Sequence, residues 1–365
     1  MAKIKYLDSL MEDALKNEVF PGCNYCLIEN GNKHFNSFGF KALIPKKEEN
    51  DIDTIYDMAS LTKVIATVTS ILILMEQGKL RLYDNVKQIL PDFKNPKTTV
   101  FDLITHTAGL KPGISYTEYI GKPKKQFVKA IYELEPSNEI GEKIIYSDLG
   151  FIYLGWIIEK ISGLSLPEFT FKYLFEPLEM YRTGYNLSPD LYKTIAPTEV
   201  RKDRIANGPV RGVVHDEKAY LLGGACGHAG LFSCVKDVSH FMEMVLNDGV
   251  YKGKRILSKA TIDLMFTELA SQKENETSVI TEKRSVGWTI MGSYPQSGCL
   301  ASSKTIMHTG FTGTHLFIDR YNQVAFCVLS NRVHPTRENN KIIGWRGRIG
   351  NYVISHFGKG CKDEV

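Results

Sequence analysis

Ser60 and Lys63 stand three residues apart in "MASLTKVIAT", at the start of a run that then turns wholly apolar. On a helix, positions i and i+3 share a face, so the hydroxyl and the amine come within hydrogen-bond reach. Such a pair is a nucleophile with a proton acceptor one turn away, which suits acyl transfer through a covalent ester. A plainer reading has Ser60 capping the helix, although Lys63 at the third position denies it the acidic partner of a capping box. Ser233 and Lys236 repeat the spacing, and Ser233, just before "VKDVSHFMEMV", is expected to cap that helix.

Two further segments bear on the choice. "YSDLGF" places Tyr146, Ser147 and Asp148 at the entry to an apolar helix, and "MHTGFTGTHLFID" places His308, Thr309 and Gly310 before a pair of strands. Taken alone, each is an ordinary core aromatic or turn. Taken together and in this order, the three resemble the Ser-x-x-Lys, Tyr-x-Asn and Lys/His-Thr-Gly set of the serine β-lactamases and penicillin-binding proteins. The spacing is similar to the class C β-lactamase and D-alanyl-D-alanine carboxypeptidase branch. "LITHTAGL", "VHDEKAYLLGGACGHAGLFS" and "SNRVHPTREN" extend the likeness over nearly the whole chain.

That resemblance implies a serine hydrolase without metal or cofactor, acting on a small-molecule ester, amide or peptide. Ser60 is the expected nucleophile, and its N–H and that of Phe311 the expected oxyanion donors. Lys63 and Tyr146 are the expected acid–base pair. Each is a poor base, costing roughly 4 to 5 kcal/mol to deprotonate at pH 7, so desolvation of Lys63 and nearby charges are expected to make the two share a proton, borne by either. Asp148, His308, Thr309 and Gly310 are expected to face the substrate. Two of them depart from the β-lactamase pattern. Asp148 replaces an amide donor with an acceptor-only carboxylate, which removes the partner of a substrate amide carbonyl. His308 replaces a lysine, making the charge that faces a substrate carboxylate conditional on pH.

Other constellations carry blander readings. Cys23 and Cys26 have redox or half-zinc spacing, but in a strand residues three apart face opposite sides. "GLSLP" at 163–167 lacks the last glycine of a nucleophile elbow and reads as a loop before a helix. "GGACGHAG" lacks the lysine of a phosphate loop and reads as a tight turn lining the cleft. His106 and His215 read as structural, and His228 as structural or close to substrate.

The elements that must position these residues follow from hydropathy and turn signals. Residues 1–15 read as an amphipathic helix, and Asn30-Gly31 as the turn of a hairpin. The run after Ser60 reads as a buried helix ending at Gly78, and 100–205 as largely helical. Residues 193–224 read as loop, "SVGWTIM", "THLFI" and "QVAFCVLSN" as strands, and "RIGNYVISHF" as a last helix. The expected fold is therefore α/β in the α+β sense, β-lactamase/transpeptidase-like. An antiparallel sheet flanked by helices is built from 1–75 and 220–365, with a helical lobe at 76–219 and the active site in the cleft between.

Charge and composition close off other classes. Forty-five basic and 41 acidic residues mix along the chain for a net charge of +4, which argues against nucleic acid. The first residues lack a signal-peptide core, and the longest apolar run is too short to span a bilayer, so a cytoplasmic enzyme is expected. Seven scattered cysteines fit reduced thiols. A cytoplasmic location favours an esterase or amidase over a cell-wall carboxypeptidase or a β-lactamase. A low-turnover sensor on the same scaffold is the alternative of another class. Oligomeric state is not legible.

Overall fold

The computed structural model describes residues 2–204, 208–273, 281–290 and 296–359. Met291, the end of one expected strand, and Cys361 lie outside the described residues. Asn30 and Gly31 take φ values of 46° and 81°, the left-handed pair that a two-residue hairpin turn requires. Strands Gly22–Glu29 and Asn32–Ala42 therefore pair in register, Glu29 opposite Asn32.

A nine-stranded sheet grows from that hairpin. Its order is Glu48–Glu49, Asn32–Ala42, Gly22–Glu29, Val324–Ser330, His315–Asp319, Thr305–Thr309, Thr289–Ile290, Thr281–Arg284 and Ala270–Lys273. All neighbours are antiparallel, and a strand near the start of the chain lies beside one near its end, Cys26 opposite Cys327. Side chains alternate between two cores, as the strand period demands. Cys26, Ile28, Leu316 and Cys327 face the larger core; Cys23, Tyr25, Leu27 and Phe326 face the smaller one. Cys23 and Cys26 thus point to opposite sides of the sheet.

Helices Ala2–Lys16 and Ile342–Phe357 cover the smaller core, the latter starting six residues earlier than the sequence pattern suggests. Helices Thr69–Glu76, Asp148–Ser162 and Val235–Leu246 pack into the larger core. The stretch read as helical holds helices Val100–Ile104, Lys124–Glu133, Asp148–Ser162 and Leu166–Thr170. Ser165 caps the last of these in a capping box with Glu168, as a loop serine before a helix should. Among the described residues no single helix is long and apolar enough to cross a membrane. Asp148–Ser162 with Leu166–Phe175 meets the length and composition only as a pair bent by 75°.

Three local expectations change. A short helix, Glu217–Leu221 capped by Asp216, stands inside the expected loop 193–224. Gly184–Tyr185 is a strand, joining Leu231–Ser233 and Tyr56–Asp57 in a small second sheet. Ser233 is not a helix cap. Its pairing with Tyr56 keeps it extended, so its hydroxyl turns inward to Thr183 Oγ1 at 2.7 Å, and Cys234 takes the cap position without a side-chain bond.

Candidate active site

Asp57 and Ala59 build the turn that presents Ser60. Ala59 is held at a φ of 45°, a conformation that side chains avoid unless fixed from outside. Asp57 supplies the fixing: one carboxylate oxygen accepts the Ala59 N–H at 2.8 Å and the other the His215 N–H at 2.7 Å. From the opposite wall, Thr312 Oγ1 donates to Asp57 O at 2.7 Å and Thr314 Oγ1 to Met58 O at 3.1 Å. Gly310 lets this wall close in, since a Cβ there would sit 2.7 Å from Met58 O. Burial raises the Asp57 pKa, its two N–H partners opposing. Asp57→Ala leaves two N–H groups without an acceptor and is expected to cost about 2 to 4 kcal/mol, read from urea-unfolding midpoints. Wild-type midpoints would show that the turn holds itself.

Beyond Ser60 the chain coils through a π-helical stretch, Lys63–Val68, before the regular helix Thr69–Glu76. Such stretches often mark functional sites. Lys63 is fully buried. Its ammonium donates to Ser60 Oγ at 3.0 Å, to Asp148 Oδ1 at 2.8 Å and to His228 O at 3.1 Å, and lies 4.9 Å from the centre of the Tyr146 ring. Burial works against its charge, but Asp148 and Tyr146 outweigh burial and the Lys63 pKa is raised. The expected desolvation of Lys63 is thus present, and the carboxylate and phenol beside it favour its charged form.

Tyr146 is placed by His106. The Ile145 N–H donates to His106 O at 2.9 Å and the Ser147 N–H to His106 Nδ1 at 3.1 Å, while the His106 ring lies 4.8 Å from that of Tyr146. Burial, Arg284 and Lys63 keep His106 uncharged. On its other side, Tyr146 meets the His308 ring at 6.0 Å and the Arg284 guanidinium at 5.6 Å.

His308 is buried, with Nδ1 2.9 Å from Thr309 O. Burial, then Arg284 and Lys63, push its pKa down to about 3. The expected pH-conditional charge at His308 is therefore absent near neutrality, and Arg284, paired with Glu282, and Arg346 are cations beside it. Asp148 faces the cleft, where Oδ1 is taken by Lys63 and Oδ2 lies 3.2 Å from Lys218.

Ser60, Tyr146, Asp148, Lys218, Thr309 and Phe311 line one cleft of about 620 Å³. The N–H groups of Ser60 and Phe311 have no acceptor among the described residues. His215 also lines the cleft, bonded to Glu199 at 3.0 Å and stacked on Phe311. The turn "GGACGHAG" packs on the helix Asp148–Ser162, where a Cβ on Gly227 would sit 2.0 Å from Phe151 O.

Asp148, Asp216 and His228 bring donor atoms within 4.8 Å of one another, a possible metal set. Here the cations are already side chains. Lys218 bridges the two carboxylates, and Asp216 raises the His228 pKa to about 9 against the effect of burial. A metal here would have to displace both the Lys218 ammonium and the proton on His228.

Residues 7–346 match the family model described as Beta-lactamase. The chain belongs to the beta-lactamase family. Within that family of serine hydrolases, the chain is 32% identical to a Salmonella agona protein named "Putative D-alanyl-D-alanine carboxypeptidase", over 80% of this chain and 72% of that one. It is 28% identical to the Bacillus subtilis "N-acetylmuramyl-L-alanine amidase", over 96% of this chain and 87% of that one. The fold matches a class C beta lactamase from Rhodobacter sphaeroides with a TM-score of 0.74 at 17% identity, covering 96% of this chain and 98% of that one. Asp57, Lys218 and Arg284 are site residues that the family's three short motifs do not name.

Proposed function

We propose that this chain cleaves an amide or ester of a peptide-like acyl group through an ester formed on Ser60. The 3.0 Å contact between Lys63 Nζ and Ser60 Oγ, with Tyr146 beside the same ammonium, carries the reading. Lys63 and Tyr146 act as one acid–base unit. That unit holds one proton fewer than an ammonium beside a phenol, and this vacancy, borne by either residue, receives the proton of Ser60 as Oγ bonds to the substrate carbonyl. The carbonyl oxygen gathers negative charge and is held by the N–H groups of Ser60 and Phe311. Collapse expels the leaving group with that proton, returned by the pair, and water then repeats the sequence on the acyl-enzyme. His308 steadies Tyr146 as a neutral ring, Thr309 offers a hydroxyl to the substrate, and Gly310 keeps the wall close to Ser60. Relatives named for a carboxypeptidase and an amidase support an amide substrate.

Intact-mass labelling tests the nucleophile. A fluorophosphonate is expected to add once to the wild type and not to Ser60→Ala; label retained by the variant would refute the assignment. Penicillin used in parallel separates the activities, since its addition at Ser60 indicates a carboxypeptidase-like site and its failure an esterase-like one.

A further inference from the structure

Asp148 has no hydrogen to give, yet beside it stands a residue that has one to spare. Five side chains close a ring behind Ser60. Lys63 bonds Asp148 at 2.8 Å, Asp148 faces Lys218 at 3.2 Å, Lys218 bonds Asp216 at 3.1 Å, and Asp216 bonds His228 Nε2 at 2.7 Å. The carbonyl of His228 returns to Lys63 at 3.1 Å. An ammonium carries three donors. Two of those on Lys218 are engaged by the carboxylates, and Lys218 lines the same cleft as Ser60 with its side chain 13% exposed. Its stem passes Gly113, where a Cβ would lie 3.8 Å from Lys218 Cδ, so the chain is guided toward the cleft.

Resting on the acyl-hydrolase reading, we propose that Lys218 determines specificity by donating its third N–H to an amide carbonyl on the acyl side of the substrate. The lysine takes over the donor role that Asp148 gives up. The choice of ligand follows from charge. Lys218 already touches two carboxylates, so a third anion at this point is repelled by Asp148 and Asp216 over similar distances. A neutral carbonyl oxygen accepts the bond without that opposition. The cleft thus selects N-acylaminoacyl groups, as found at the end of a peptide, over plain alkanoyl groups of the same length.

The test compares kcat/KM for a pair of nitrophenyl esters, N-acetylglycyl and an alkanoyl ester of equal chain length, in the wild type, Lys218→Met and the double variant Asp148→Asn with Lys218→Met. Methionine keeps the stem and removes the ammonium. The preference for the N-acetylglycyl ester is expected to fall at least about tenfold in Lys218→Met, as befits loss of a bond from a charged donor. The double variant, whose asparagine supplies an amide donor, is expected to regain part of that preference. Rates for both esters falling together in Lys218→Met, with their ratio unchanged, would overturn the proposal and leave Lys218 as a positioning residue for Asp148. The same follows if the double variant melts like the wild type but keeps the depressed ratio. Hydrolysis of either ester by Ser60→Ala reports separately on the serine reading.

Discussion

Lys63→Ala is expected to slow acylation of Ser60 by 10²- to 10⁴-fold, the usual worth of a positioned acid–base group. The side chain is wholly buried and gives its three hydrogens to Ser60, Asp148 and the His228 carbonyl, so nothing else in the cleft can take its place. Tyr146→Phe is expected to match it, because the two residues handle one proton between them and removing either stops the transfer. Combining the substitutions should then add little to the single losses. Lys63→Arg should not restore activity, since a planar guanidinium cannot direct three hydrogens at acceptors arranged around a compact ammonium. Burst kinetics with a chromogenic ester read the acylation step directly. Wild-type bursts from Lys63→Ala or Tyr146→Phe would refute this division of labour.

The parts of the site legible in the sequence are those set by short-range geometry. Ser60 and Lys63 share a helical face whatever surrounds them, and Asn30-Gly31 turns a hairpin by its own dihedral preferences. Cys23 and Cys26 separate across the sheet because the strand period is two. The charge states of those residues were not legible. They depend on neighbours brought from far along the chain: Asp148 meets Lys63 across 85 positions, and Arg284 on a distant strand helps to silence His308. Lys218 carries no signal in its local sequence; the helix capped by Asp216 sets it beside Asp148. Ser233 failed as a cap for the same reason, since a strand partner, invisible in the local pattern, held it extended. The π-helical stretch at Lys63–Val68 has no composition of its own; it is packing on all sides that fixes it.

Asp148→Ala is expected to reduce both stability and turnover, and its pH dependence tells the reason. Lys63 stays buried but loses its carboxylate partner, and breaking a buried pair from one side costs about 3 kcal/mol or more near neutral pH. In the wild type, the raised pKa of Lys63 contributes stability that is complete below its unfolded value of 10.5 and is lost as pH climbs through the folded value. Burial is already the largest single influence on Lys63, and without Asp148 it is expected to prevail and draw the pKa below the unfolded value. The unfolded chain then binds more protons than the folded one over that interval, so the variant gains stability as pH rises toward 10.5. The lowered pKa of Asp148 gives the opposite limb. Its stabilisation is present above the unfolded value of 3.8 and disappears as pH falls through the folded one. The gap between wild type and variant should therefore be widest near neutrality and narrow on both sides. Urea-unfolding midpoints at about pH 2.5, 7 and 9.5 measure it, and a gap that stays constant would mean that Asp148 does not govern the charge on Lys63.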